Sequence, residues 1–196
     1  MEQQFHAFIS YKREDEKWAK WLQDRLRWYK LPSKLCRQIT RLPKKVWPVF
    51  RDNTDLDSGR LEENIRHELE RSHYLIVICS PEAARSPWVG KEVKYFATLH
   101  GADKIIPFVV SGIPYSNDIE TECIHEQIKA ISQEELLAIN VREEGIGSFA
   151  MKKKRAFIRV VARLLDIKFN TLWQPYERIL RIRKWSTGIG VVLFLF

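Results

Sequence analysis

Residues 74–79 read Tyr-Leu-Ile-Val-Ile-Cys, and this run decides the architecture. It is apolar without interruption and β-branched in its middle, which predicts a strand. Alternation is missing, so both faces must be covered, as in an interior strand of a parallel sheet. Similar runs recur on either side. Phe5–Ser10 (FHAFIS) and Lys104–Val110 (KIIPFVV) are predicted strands. Val46–Phe50 (VWPVF) is another; its Pro48 cannot donate a ladder bond, which puts it at a sheet edge or a strand start. Leu136–Val141 (LLAINV) supplies the last.

Helical periodicity fills the intervals. Trp18, Leu22, Leu26 and Tyr29 fall on one face of a helix predicted from Glu14 to Tyr29, stopped by Pro32. Its acidic start (Glu14, Asp15, Glu16) suits the positive end of the helix dipole. Residues 31–45 read as a connector and Arg51–Ser58 as an Asp-rich loop. Further helices are predicted from Arg60 to about Arg71 and from Trp88 to about His100. Ser80–Pro87 reads as a loop, and residues 111–135 as loop with a weak helix. Phe149–Ile167 carries Phe157, Val160, Val161, Leu164 and Leu165 in phase. Strand and helix alternating in this way predict an α/β fold: a flavodoxin-like five-stranded parallel sheet with helices on both faces.

Composition narrows the class. The chain has 196 residues, 45% hydrophobic and 30% charged, which fits a globular domain and excludes a disordered or fibrous one. Cys36, Cys79 and Cys123 stand apart, without CxxC or Cys/His spacing, so neither a zinc site nor a disulfide framework is expected. The start, MEQQFHAFIS, has no basic stretch before a long apolar run, and no secretory signal is expected. The net charge of +8 is uneven. Residues 1–150 hold 22 Lys/Arg against 23 Asp/Glu, and residues 151–196 hold 11 against 2. The excess is confined to the C-terminal part, so no nucleic-acid partner is expected.

That part has its own reading. Leu172–Trp185 is predicted as a basic amphipathic helix after Pro175. Ser186–Phe196 (STGIGVVLFLF) is apolar, shorter than the roughly 20 residues of a membrane span, and preceded by Arg178, Arg181, Arg183 and Lys184. The expected organisation is therefore a domain over 1–167, a basic juxtamembrane helix over 168–185, and the beginning of a transmembrane helix over 186–196. The positive-inside rule then places the domain on the cytoplasmic face of a membrane, with that membrane as a partner.

Function in parallel sheets gathers just beyond the carboxyl ends of strands. Three stretches fall there: Ser10-Tyr11-Lys12-Arg13, Phe50-Arg51-Asp52, and Ser86-Pro87-Trp88-Val89-Gly90-Lys91-Glu92. Together they offer cations, aromatic faces and a carboxylate. No GxGxxG or GxxxxGK[ST] loop exists, which disfavours an ordinary dinucleotide fold or a P-loop enzyme. Neither Ser80 nor Ser86 stands in a GxSxG context. A phospho-receiver would need an Asp ending the third strand, where Ser80 follows Cys79.

These stretches resemble the Toll/interleukin-1 receptor (TIR) domain family. FISYKRED is similar to its first box. PVFRDNTDLDSGRLEENIRHELERSHYLIVICSP is similar to its second strand, BB loop, following helix and third strand. SPWVGKE is similar to the segment around its catalytic glutamate. The resemblance runs over roughly residues 5–167, with Lys12 where many hydrolytic members carry Arg. The tail resembles bacterial members in which the domain precedes a transmembrane helix.

The resemblance implies cleavage of the nicotinamide–ribose bond of NAD+, with NAD+ as substrate and no further cofactor or metal, in bacterial defence signalling. It implies Glu92 as the catalytic carboxylate and Tyr11, Lys12, Arg13, Phe50, Arg51, Asp52 and Trp88 as substrate-binding residues. It implies self-association through TIR–TIR contacts, with a BB loop of Asp52, Asn53, Thr54, Asp55, Leu56 and Asp57. The other reading it leaves open is a non-catalytic TIR–TIR interaction module. Outside this context Glu92 would read as a surface acid compensating a helix dipole, and Trp88 as helix–sheet packing.

Overall fold

The computed structural model describes residues 5–174 except 41, 44, 52–58, 132–136, 144 and 146, together with residue 177; the side chains of 59–62 are not part of that description. Five strands form one sheet: β1 (Phe5–Ser10), β2 (Val49–Arg51), β3 (Ser72–Cys79), β4 (Ile105–Val109) and β5 (Ile139–Asn140). Every pairing is parallel, and the order is β2-β1-β3-β4-β5. That is the doubly wound, flavodoxin-like order, with its topological switch between β1 and β3.

The sheet sorts its side chains by parity. Ala7, Ile9, Ile76, Ile78, Ile106 and Phe108 join one core. Phe8, Leu75, Val77, Cys79, Ile105 and Val109 join the other. Successive residues of a strand point to opposite faces, so the unbroken apolar runs supply both layers at once.

Helices α1 (Glu16–Trp28) and α7 (Phe149–Leu164) cover the first face, through Leu22 and Leu26 and through Phe157, Val160 and Val161. Helices α3 (Gly59–Glu70) and α5 (Pro87–His100) cover the second, through Ile65 and Leu69 and through Val89, Val93 and Phe96. Short helices α2 (Ser33–Gln38), α4 (Pro81–Ala84) and α6 (Glu126–Ile131) lie in the connections. The ends of α5 follow from its sequence. Ser86 caps it by accepting from the Val89 amide, Pro87 opens the first turn, and Gly101 ends it at a φ of 87°.

Several boundaries differ from the sequence reading. The connector 31–45 contains α2, which buries Leu35. The first turn of the predicted 14–29 helix is a 3-10 turn, Arg13–Asp15, and Asp15 is buried in it rather than exposed to the helix dipole. The loop 80–87 contains α4, and β5 is only Ile139–Asn140.

The expected C-terminal arrangement is corrected. Among the described residues, no helix is long and apolar enough to cross a membrane. Of the predicted basic helix, residues 172–174 and 177 are helical. Arg178, Arg181, Arg183, Lys184 and the apolar stretch 186–196 lie outside the described residues. The fold therefore carries no membrane-spanning appendage in its described part. A membrane partner and a membrane-face location are not retained.

Candidate active site

The switch between β1 and β3 is laced by two serines. Ser10 ends β1 and sits in register with Val77 of β3. Its hydroxyl donates to Glu92 Oε2 of α5 at 2.5 Å. Ser80 follows β3 directly, and its hydroxyl donates to Asp15 Oδ2 at 2.5 Å while its oxygen accepts from the Ala83 amide. Each strand end thus reaches across to the segment that follows the other strand. All four side chains are buried, with Glu92 and Asp15 each 8% exposed. A hydrogen bond to an ionised carboxylate is charge-assisted and about twice as strong as a neutral one.

Glu92 lies on one ridge of α5 with Trp88 four residues before it and Tyr95 three after, so their side chains share a face. Val89, Val93 and Phe96 turn inward to the sheet. The outer ridge and α3 flank an open-mouthed cavity of about 320 Å³. Ile65 and Leu69 make its apolar floor, Trp88, Tyr95 and Glu92 one wall, and Arg66, Lys91 and Lys94 bring cations. The walls are braced. The Tyr95 hydroxyl donates to Glu70 Oε1 at 2.5 Å, the Arg66 guanidinium stands 5.5 Å from the Tyr95 ring centre, and Lys91 Nζ 4.7 Å from that of Trp88. Trp88 remains 42% exposed, more than a purely packing indole would be.

Of the residues predicted for the site, Glu92 and Trp88 meet on this cavity; Tyr11, Lys12, Arg13, Phe50 and Arg51 are not among those lining it. Arg51 is held by its own neighbours: it donates to the Tyr11 hydroxyl, to Gln23 Oε1 and to Glu16 Oε1 at 3.1–3.2 Å. Phe50 stacks on Phe8 with ring centres 5.2 Å apart. Lys12 and Arg13 occupy the turn after β1. Asp52, Asn53, Thr54, Asp55, Leu56 and Asp57 lie outside the described residues.

Sequence reasoning missed Ser10 as the partner of Glu92, and the Ser80–Asp15 pair. The available signal was position: both serines directly end or follow central strands on either side of a topological switch.

Electrostatics separate these groups. Burial holds the Asp15 carboxyl above the usual carboxylate range; the Ser80 hydrogen bond acts the other way, and Glu82 and Glu14 add to burial. Burial pushes the Cys79 thiol well up, so the cysteine ending β3 is a core side chain and no nucleophile. Glu92 is a buried carboxyl group lining the same cavity as the Trp88 indole. In such a setting a carboxylate stabilises a developing cation more than it does in water.

The TIR domain family model matches residues 7–144, and the chain belongs to the TIR domain family. A stretch of 65 residues, 33% of this chain, is 42% identical to "NAD(+) hydrolase ApTIR" of Actinoplanes sp., of which it covers 9%. The chain therefore spans a small fraction of that relative. The fold is shared with the TIR domains of the activated Roq1 resistosome recognizing the pathogen effector XopQ. That match has a TM-score of 0.52 at 14% identity and covers 79% of this chain and 98% of that one.

Proposed function

We infer that this TIR domain cleaves the nicotinamide–ribose bond of NAD+, with Glu92 as the catalytic carboxylate and self-association as the condition for activity. The observation that carries this reading is Glu92 itself: buried, held by Ser10, and lining a cavity with Trp88. The 65-residue likeness to an NAD+ hydrolase supports it.

In the reaction, nicotinamide departs with the electron pair of the glycosidic C–N bond. The ribose is left as an oxocarbenium-like cation, the kind of centre glycosidases stabilise with carboxylates. Glu92 faces that charge, and the cavity walls limit the water that would screen it. Water then forms the new C–O bond and releases a proton, giving ADP-ribose; attack by a group of the same nucleotide gives a cyclic product instead. Trp88 offers a face to a flat ring, and Lys91 and Arg66 offer charge to the diphosphate. Tyr11, Lys12, Arg13, Phe50, Arg51 and Asp52 belong to this reading as groups that a partner copy or a bound nucleotide draws together. The 52–57 loop belongs to it as the contact between copies.

The test is chromatography of NAD+ products from wild type beside Glu92→Ala, over a series of protein concentrations and on beads. Turnover should rise more steeply than in proportion to concentration and vanish in the variant. Silence of the wild type throughout, or equal turnover in Glu92→Ala, overturns the reading and leaves an interaction module.

A further inference from the structure

A second hollow, of about 670 Å³, lies on the other face of the sheet, between α1 and α7. Its walls are aromatic: Trp21, Trp28, Tyr29 and Phe157. Its charged groups are Arg25, Lys30, Lys153 and Lys154, and none of the described residues lining it is acidic.

Two features of this groove bear on a ligand. Trp28 keeps 75% of its surface in water, with Arg27 stacked 5.6 Å from its ring centre. Core packing does not ask for an indole there. Arg25, Lys30 and Lys153 also stand together with no acidic side chain among the described residues of the lining, so their combined field favours an anion. The Lys153 ammonium lies 4.0 Å from the Trp21 ring centre and 4.2 Å from that of Trp18, and burial first, then the nearby Arg25 charge, lower its pKa. An anion attached to a flat ring answers both features, the ring against the indole and the charge among the cations. The hollow falls within the roughly 300–1,000 Å³ of small-molecule sites.

We propose that the α1–α7 groove is a nucleotide-binding site, with the base stacked on Trp28 and the phosphates held by Arg25, Lys30 and Lys153. Stacking on an indole accepts any base, since each has a π-face. Lysine and arginine supply the point charge and the fork that phosphate oxygens take. The site is separate from Glu92 and does not depend on what Glu92 does.

The test is calorimetric titration of the full chain carrying Trp88→Ala, an exposed change that weakens any binding at the other cavity. The probes are ADP, adenosine and pyrophosphate. ADP should bind, with adenosine and pyrophosphate each at least about tenfold weaker. Adding Trp28→Ala or Lys30→Gln, both at exposed positions, should weaken ADP about tenfold or more. Three results overturn the proposal: no ADP binding up to about 1 mM, pyrophosphate binding as tightly as ADP, or ADP binding untouched by both groove substitutions.

Discussion

Ser10 Oγ stands 2.5 Å from Glu92 Oε2, joining the end of β1 to the middle of α5 across 82 positions of sequence. The bond is buried and made to an ionisable group, so it fixes where the carboxylate points. A carboxylate misplaced by about 1 Å can lose a factor of a hundred in rate.

Ser10→Ala should therefore lower kcat for NAD+ cleavage by about tenfold or more while changing KM little. Ser10→Thr, which keeps a hydroxyl, should recover part of the loss. A serine with only a packing role would shift the melting temperature and leave kcat alone. Steady-state kinetics beside thermal melts separate the two.

Trp88→Ala should raise KM for NAD+ and change stability by no more than about 0.5 kcal/mol, the ordinary range for a surface position. A large drop in melting temperature with unchanged KM would return Trp88 to the core.

Gly90 is fixed by its neighbour. A Cβ there would lie 2.5 Å from His125 Cε1. The ring cannot step aside, because Nε2 bonds the Ser86 carbonyl at 3.1 Å and Nδ1 accepts from the Gln127 amide at 3.0 Å. Alanine in a helix interior is ordinarily worth about 0.5–1 kcal/mol over glycine. Here overpacking should win, and Gly90→Ala should destabilise by about 1–3 kcal/mol. Adding His125→Ala, which removes the ring, should recover part of that in denaturant melts.

Acid should loosen the fold through histidine. His6, His73 and His125 are all held below 6.5, chiefly by burial. A depressed folded value means that their contribution is complete above 6.5 and lost as pH falls through the folded values. Protonated His125 also forfeits the bond its Nδ1 accepts. Melting temperature should drop between about pH 7.5 and 5.5, less steeply in His125→Gln.

Asp15 carries the opposite sign. Its folded value is raised above 3.8, so its stabilising share is complete below 3.8 and lost as pH rises through the folded value. Asp15→Asn keeps an acceptor for Ser80 and removes the buried charge. It should match or exceed the wild type in stability at neutral pH, whereas Ser80→Ala should lose about 1–3 kcal/mol by stranding the carboxylate.

The sheet was legible because its central strands are buried on both faces, and burial writes itself as an unbroken run such as Tyr74–Cys79. The helices α1 and α7 were legible from one apolar stripe each. α2 was not: Leu35 is its single buried residue, too little to show a period. β5 was overextended because LLAINV is apolar but for Asn140, while the register with β4 spans Ile139 and Asn140. In the site, the local context of SPWVGKE pointed to Glu92 and Trp88. Ser10 and Asp15 act through partners 82 and 65 positions away, and no window of sequence contains both ends of either bond. The membrane reading came from the composition of the tail and from its likeness to members with a transmembrane helix. Charge followed by apolar residues describes many chain ends, and only a long apolar helix marks a span.

Both margins of the sheet are brief, Val49–Arg51 on one side and Ile139–Asn140 on the other. A foreign strand finds only a few backbone groups there to latch onto, which is how natural sheets resist runaway stacking into fibrils. The described sheet edges are thus poor seeds for amyloid at high concentration. Order that builds up under such crowding will report lateral, side-chain-mediated docking, and dilution should undo it.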